Sequence, residues 1–173
     1  MSVEQFKTLL LPTTLDDPVI NTPQSILSDQ FDVCGLQDTL FGQLNMFQRQ
    51  YKFLQILHVP GHWVTVTNYG APNNTVFLFD SIDQCIPPTA VSQLWSILGA
   101  DVKRITIQAR PVQAKDNSYD CGLFAIANAY IVAAGRDPCL YNYDKFAMRA
   151  YSLRCICDGE LLQFPTTTAY VPR

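Results

Sequence analysis

Asp120-Cys121-Gly122, followed by the apolar run Leu123-Phe124-Ala125-Ile126-Ala127-Asn128-Ala129-Tyr130-Ile131-Val132, decides how this chain folds and where its chemistry lies. The run reads as a buried helix, and the triplet puts a thiol at its first turn. A helix N-terminus carries partial positive charge from N–H groups without intrahelical partners, which favours thiolate over thiol and lowers a cysteine pKa. Gly122 sharpens the reading. Glycine weakens a helix by roughly 1 kcal/mol relative to alanine, so its presence here implies that something passes close to the backbone beside the sulfur. The alternative is an ordinary buried cysteine, since free cysteine is among the most buried residue types. The triplet alone does not choose between them.

A nucleophilic thiol needs a base, and the chain has two histidines, His58 and His62. His62-Trp63-Val64-Thr65-Val66-Thr67 has the period-two alternation and β-branched content of a strand, with His62 at its start. Thr75-Val76-Phe77-Leu78-Phe79-Asp80-Ser81 reads as a second strand, joined to the first through residues 68–74. An antiparallel hairpin returns the end of its second strand to the start of its first, so Asp80 is expected beside His62. A carboxylate bonded to one imidazole nitrogen leaves the other to face a thiol, the logic of a Cys-His-Asp triad. Singly, His62 also fits a half-buried strand histidine, and Asp80 the start of the turn Asp80-Ser81-Ile82-Asp83. Base, carboxylate and thiol at the right ends of three elements favour the triad.

In this order, His62-Trp63, Phe79-Asp80-Ser81 and Asn117-Ser118-Tyr119-Asp120-Cys121-Gly122 resemble the Ulp-type (SUMO/sentrin-specific, ubiquitin-like-protein-specific) cysteine proteases, which are related to the adenoviral protease. The resemblance runs over most of the chain. Leu15-Asp16-Asp17-Pro18-Val19-Ile20-Asn21 is similar to the family's substrate-edge segment, and Phe53-Leu54-Gln55-Ile56-Leu57 to the strand before its histidine. It implies His62 as general base, Asp80 as its orienter and Cys121 as nucleophile, with Trp63, Asp17 and Gly122 beside the substrate tail. It also implies a papain-like fold, and a ubiquitin-like protein or its conjugates as partner.

Two positions depart from the family pattern. Its members carry a glutamine six residues before the nucleophile, whose amide helps to form the oxyanion hole; here that residue is Lys115, and the nearest glutamine is Gln113. An oxyanion donor is worth about 2.7–4 kcal/mol, so its loss impairs an enzyme without abolishing its chemistry. Lys115 is a cationic donor on a long flexible stem. Either Lys115 fills the position or the loop is re-threaded so that Gln113 reaches it. The second departure is Thr14, where the family has a tryptophan before its substrate-edge segment, leaving Trp63 alone to cover the tunnel for a Gly-Gly tail.

Composition fits one intracellular domain over residues 1–173. The 173 residues are 48% hydrophobic and 16% charged, which argues against extended disorder. A net charge of −3 gives no general drive toward nucleic acid, and no apolar run approaches the roughly 20 residues that span a bilayer. No signal peptide is apparent at the N-terminus. The expectation is a soluble nuclear or cytoplasmic protein that engages neither nucleic acid nor membrane. Six cysteines are scattered with no Cys-x-x-Cys pair, pointing to a reducing compartment rather than a disulfide framework. His58 and His62 are spaced i, i+4, but Pro60-Gly61 breaks any helix that would align them, so neither metal nor cofactor is expected.

The remaining elements follow from local signals. Met1 to Leu11 is a short amphipathic opening. Thr22-Pro23 has a cap followed by proline at the first helical position, predicting a brief helix through about Ser28. Thr89–Leu98 is a helix stopped by Gly99, and Lys103–Gln108 a strand with Ile105 and Ile107 on one side. Gly135 stops the Cys121 helix. A last helix runs from about Lys145 to Cys157, capped by Asp144 and closed near Gly159, after which Leu161 to Arg173 trails off past Pro165 and Pro172. The fold class is α+β, a central largely antiparallel sheet with the nucleophile helix packed on it. Two functions stay open: a cysteine peptidase or isopeptidase, or a binding module that keeps the groove and has lost turnover.

Overall fold

A computed structural model describes residues 3–82 and 85–169 of the chain. The first two residues of the N-terminal opening, Asp83 of the expected turn and the end of the tail with Pro172 lie outside the described residues. The helices are α1 (Val3–Leu10), α2 (Asp17–Gln30), α3 (Leu40–Gln43), α4 (Pro88–Leu98), α5 (Cys121–Ala133) and α6 (Met148–Asp158). The strands are β1 (Leu54–Val59), β2 (His62–Thr67), β3 (Thr75–Phe79), β4 (Thr106–Arg110), β5 (Tyr141–Tyr143) and β6 (Thr166–Ala169). Among the described residues no helix is long and apolar enough to cross a membrane.

The main sheet has the order β1-β2-β3-β4, with β1/β2 and β2/β3 antiparallel and β3/β4 parallel. The parallel pair exists because α4 lies between β3 and β4 in the chain, giving the crossover that parallel strands require. All six residues of β2 are buried, because both faces of the sheet are covered. Leu54, Ile56 and Trp63 join the apolar cluster formed with α2 and α5 on one face. Leu57, Val64, Val66 and Leu78 join the α4 cluster on the other.

Nearly all of α5 is buried, including Leu123, Phe124, Ile126 and Ile131. Each such side chain contributes roughly 1.5–3 kcal/mol on leaving water. Thr65 Oγ1 in β2 donates to the Ala125 carbonyl at 2.8 Å, fixing the helix along the sheet. At its far end Gly135 has φ 71°, and the Arg136 N–H returns to the Ile131 carbonyl at 2.9 Å, the reversal that ends a helix without orphaned carbonyls.

Several boundaries differ from those expected. The helix placed at Thr22-Pro23 begins at Asp17: Asp16 Oδ1 caps it by accepting from the Val19 N–H at 3.2 Å, and Pro18 occupies its first turn. Pro23 lies inside, where proline ordinarily costs about 3 kcal/mol. Burial of Val19, Ile20, Pro23, Gln24 and Leu27 along one face offsets that cost. The last helix starts at Met148 rather than Lys145. Asp144 accepts from the Phe146 N–H at 3.1 Å, capping a separate turn before α6. β4 is Thr106–Arg110, shifted from Lys103–Gln108 by its register with β3. The tail does not simply trail off: β6 pairs antiparallel with β5, and Leu161 and Phe164 are buried.

Candidate active site

The turn between β1 and β2 sets where β2 begins. Val59 pairs with His62, and Pro60-Gly61 closes the hairpin with Gly61 at φ 67°. That puts His62 at the first position of β2. The register Thr65↔Phe79, carried one step past β3, sets Asp80 diagonally across from His62. His62 Nε2 lies 2.6 Å from Asp80 Oδ1, with both side chains buried. The same carboxylate oxygen accepts the Ile82 N–H at 2.8 Å, so the acid is fixed from two sides.

Nδ1, on the other edge of the ring, is buried and makes no hydrogen bond. Its electrostatic neighbour is Cys121, at the first position of α5 and with no exposed surface. Each group shifts the ionisation of the other. Burial alone would push the His62 pKa down, but Asp80 and the Cys121 thiolate outweigh it and raise it to about 9. Burial pushes the Cys121 thiol up; the His62 imidazolium, the Trp63 backbone and the Lys115 cation together hold it below its ordinary 9.0. Each group thus favours the charged form of the other, thiolate and imidazolium. Because His62 is raised, its proton is retained through neutrality and lost as pH rises through about 9.

A prediction follows for any reaction that needs this proton. The rate falls on the alkaline side near pH 9, and Asp80→Asn, which keeps the shape and removes the charge, moves that limb down toward the ordinary histidine value of 6.5. A kcat–pH profile of the two proteins checks it.

Lys115 lies in the loop ahead of α5. Its N–H donates to the Ser81 carbonyl at 2.8 Å, next to Asp80, and its Nζ donates to the Asn117 carbonyl. The structure does not bring Gln113 to this place. Its amide is engaged at both ends by the backbone of Tyr143, Nε2 donating to the carbonyl at 3.1 Å and Oε1 accepting the N–H at 2.5 Å.

The expected substrate-side residues occupy different settings. Trp63 is buried, donates through Nε1 to the Leu15 carbonyl at 2.9 Å, and stacks on the His58 ring at 4.2 Å. Asp17 accepts from Thr39 Oγ1 at 2.7 Å and from Gln43 Nε2 at 3.2 Å, and Gln43 also contacts His58. Gly122 meets the close approach its glycine implies, from protein side chains. A Cβ there would lie 2.9 Å from Ile20 Cδ1 and 3.0 Å from Leu15 Cδ1. Two residues that sequence reasoning did not single out complete the loop. Asn117 Oδ1 accepts the N–H groups of Tyr119 and Asp120, and Arg149 bonds the Asp120 carboxylate. Asn117 carries a local signal, since asparagine commonly folds a turn by bonding the backbone two residues on. Arg149 carries none.

No protein-family profile matches the sequence, and a comparison with curated proteins finds no match to it. Solved structures do match the fold. The C-terminal Ulp1 protease domain in complex with Smt3, the yeast ortholog of SUMO, aligns with a TM-score of 0.67 at 16% identity, over 92% of this chain and 83% of that one. The Xanthomonas campestris effector XopD bound to ubiquitin aligns with a TM-score of 0.57 at 15% identity, over 82% of this chain and 90% of that one. The Chaetomium thermophilum Ulp1-like SUMO protease catalytic domain gives a TM-score of 0.54 at 19% identity, over 87% and 75%. A thiol at a helix start, an imidazole at a strand start and a carboxylate at the neighbouring strand's end thus stand on a chain that has the fold of the Ulp1-type protease domains.

Proposed function

We propose that this protein is a cysteine peptidase or isopeptidase that cleaves after the C-terminal tail of a ubiquitin-like protein. The observation that carries the reading is the His62 ring held at 2.6 Å by Asp80 and coupled to the Cys121 thiol at the head of α5. Cys121 attacks the carbonyl at the end of the tail, and the imidazolium of His62 gives its proton to the leaving amine. Water deprotonated by His62 then releases the thioester. The backbone N–H of Cys121 is one donor to the oxyanion. Trp63 and Asp17 flank the path of the tail. Reducing surroundings, such as those of nucleus or cytoplasm, suit such a thiol. The test is cleavage of ubiquitin and SUMO precursors and conjugates by the purified chain: release of the mature tail from at least one supports the reading, and binding without release from any contradicts it.

A second reading, a binding module without turnover, rests on Lys115 in place of the family's glutamine. Lys115→Gln separates the two. In an enzyme it raises kcat more than it lowers KM, because a planar neutral amide replaces an ammonium that is turned to the Asn117 carbonyl. In a binding module wild type and variant alike bind a ubiquitin-like protein and neither cleaves it. Gln113→Ala, by contrast, leaves kcat in place and lowers thermal stability, since two backbone groups of Tyr143 lose their partner at about 1–3 kcal/mol.

A further inference from the structure

Asp120 sits where a helix takes its cap, and it does not cap. An aspartate at that position ordinarily accepts from the second or third amide of the helix; Asp120 makes no such bond to α5. Its buried carboxylate is held elsewhere. Oδ1 accepts from Arg149 Nε at 2.8 Å and lies 2.7 Å from Nη2 as an ion pair, and Oδ2 accepts from Asn117 Nδ2 at 2.7 Å. The rest of the guanidinium donates to the carbonyls of Thr8, Leu11 and Thr13. The Tyr119 ring lies beneath it at 5.2 Å.

We propose that Arg149 is a positioning residue for the nucleophile: by holding the Asp120 carboxylate off α5 and balancing its charge, it keeps the start of that helix positive and its first amides open to the oxyanion. A released Asp120 would turn to the helix, take one of the orphan N–H groups and set a full negative charge one residue from the sulfur. Both effects oppose a thiolate. The other groups facing Cys121 are His62 from β2 and Lys115 from the loop before α5. Beside it, at Gly122, the α2 side presents apolar Leu15 and Ile20, and α6 contributes Arg149 through Asp120. The inference rests on the reading of Cys121 as nucleophile.

A charge cycle on the full chain tests it, with the readout being the midpoint pH of iodoacetamide alkylation mapped to the Cys121 peptide. Arg149→Gln leaves Asp120 unbalanced and raises the midpoint by about 0.5–1 unit. Asp120→Asn leaves the arginine unbalanced and lowers it. The double variant returns it to the wild-type value. A merely structural arginine does not yield opposite signs that cancel. An unmoved midpoint in folded Arg149→Gln, or a double variant that stays with it, overturns the proposal. Should Arg149→Gln fail to fold, Asp120→Asn decides alone: a downward shift supports the proposal, and no shift or an upward one overturns it. If wild-type Cys121 is not alkylated ahead of the other five thiols, the nucleophile reading fails and takes this proposal with it.

Discussion

Cys121→Ala abolishes hydrolysis, lowering kcat by about 10⁴-fold or more, the scale at which loss of a nucleophile acts when the rest of its triad stays in place. The fold survives, because Cys121 fills little volume at the end of a helix whose remaining apolar residues are untouched. Alanine removes one sulfur from the apolar cluster that includes Leu15, Trp63 and Leu123, a cost of about 1 kcal/mol. In the wild type the same thiol is alkylated faster at neutral pH than Cys34, Cys85, Cys139, Cys155 or Cys157. It alone combines the His62 imidazolium, the Lys115 cation and a helix start. Cys139, by contrast, has its pKa raised by burial despite the neighbouring Arg110. Peptide-mapped labelling in which exposed Cys34 or Cys85 reacts first would count against this ranking.

The second large effect separates the two histidines. His62→Ala lowers kcat by about 10²–10⁴-fold, the contribution of a positioned acid–base group, whereas His58→Ala changes it by less than about tenfold, since no proton passes through it. Both rings lie close together in sequence and on adjoining strands, so composition does not distinguish them. Geometry does. The His62 ring is bonded to Asp80 and electrostatically coupled to Cys121, while His58 Nδ1 meets Gln43 Nε2 at 2.9 Å and its ring stacks on Trp63. Equal damage from the two substitutions, measured as kcat on one substrate, would refute the assignment.

The parts of the site that rest on periodicity were legible in the sequence. Alternation in β2 and β3 implies an antiparallel hairpin, and a hairpin forces Asp80 back beside His62 whatever else the chain does. The Cys121 helix was equally plain, because no other element offers such a length of apolar residues to bury. What was not legible depends on contacts far apart in the chain. Arg149 lies 29 positions beyond Asp120, and no local pattern joins them. Tyr143 claims the Gln113 amide from 30 positions away, whereas Lys115 acts on the thiol through its charge. The three residues of β5 are too few to show a period of two, and β6 exists only because β5 offers it an edge. At α2 two cap-then-proline patterns compete, Asp16 with Pro18 and Thr22 with Pro23. Burial of Val19 and Ile20 against the core decides for the earlier one.

The central claim is that Cys121 attacks a carbonyl presented by a ubiquitin-like tail, and an active-site-directed electrophile tests it in one step. Ubiquitin and SUMO carrying a C-terminal vinyl or propargyl group are incubated with the wild-type chain and with His62→Ala, and the adduct is located by peptide mapping. The account predicts a covalent adduct with at least one probe, on Cys121 alone, that is lost or greatly slowed in His62→Ala. Adducts at another cysteine, or a protein that binds the probes and forms no adduct with any of them, would contradict it.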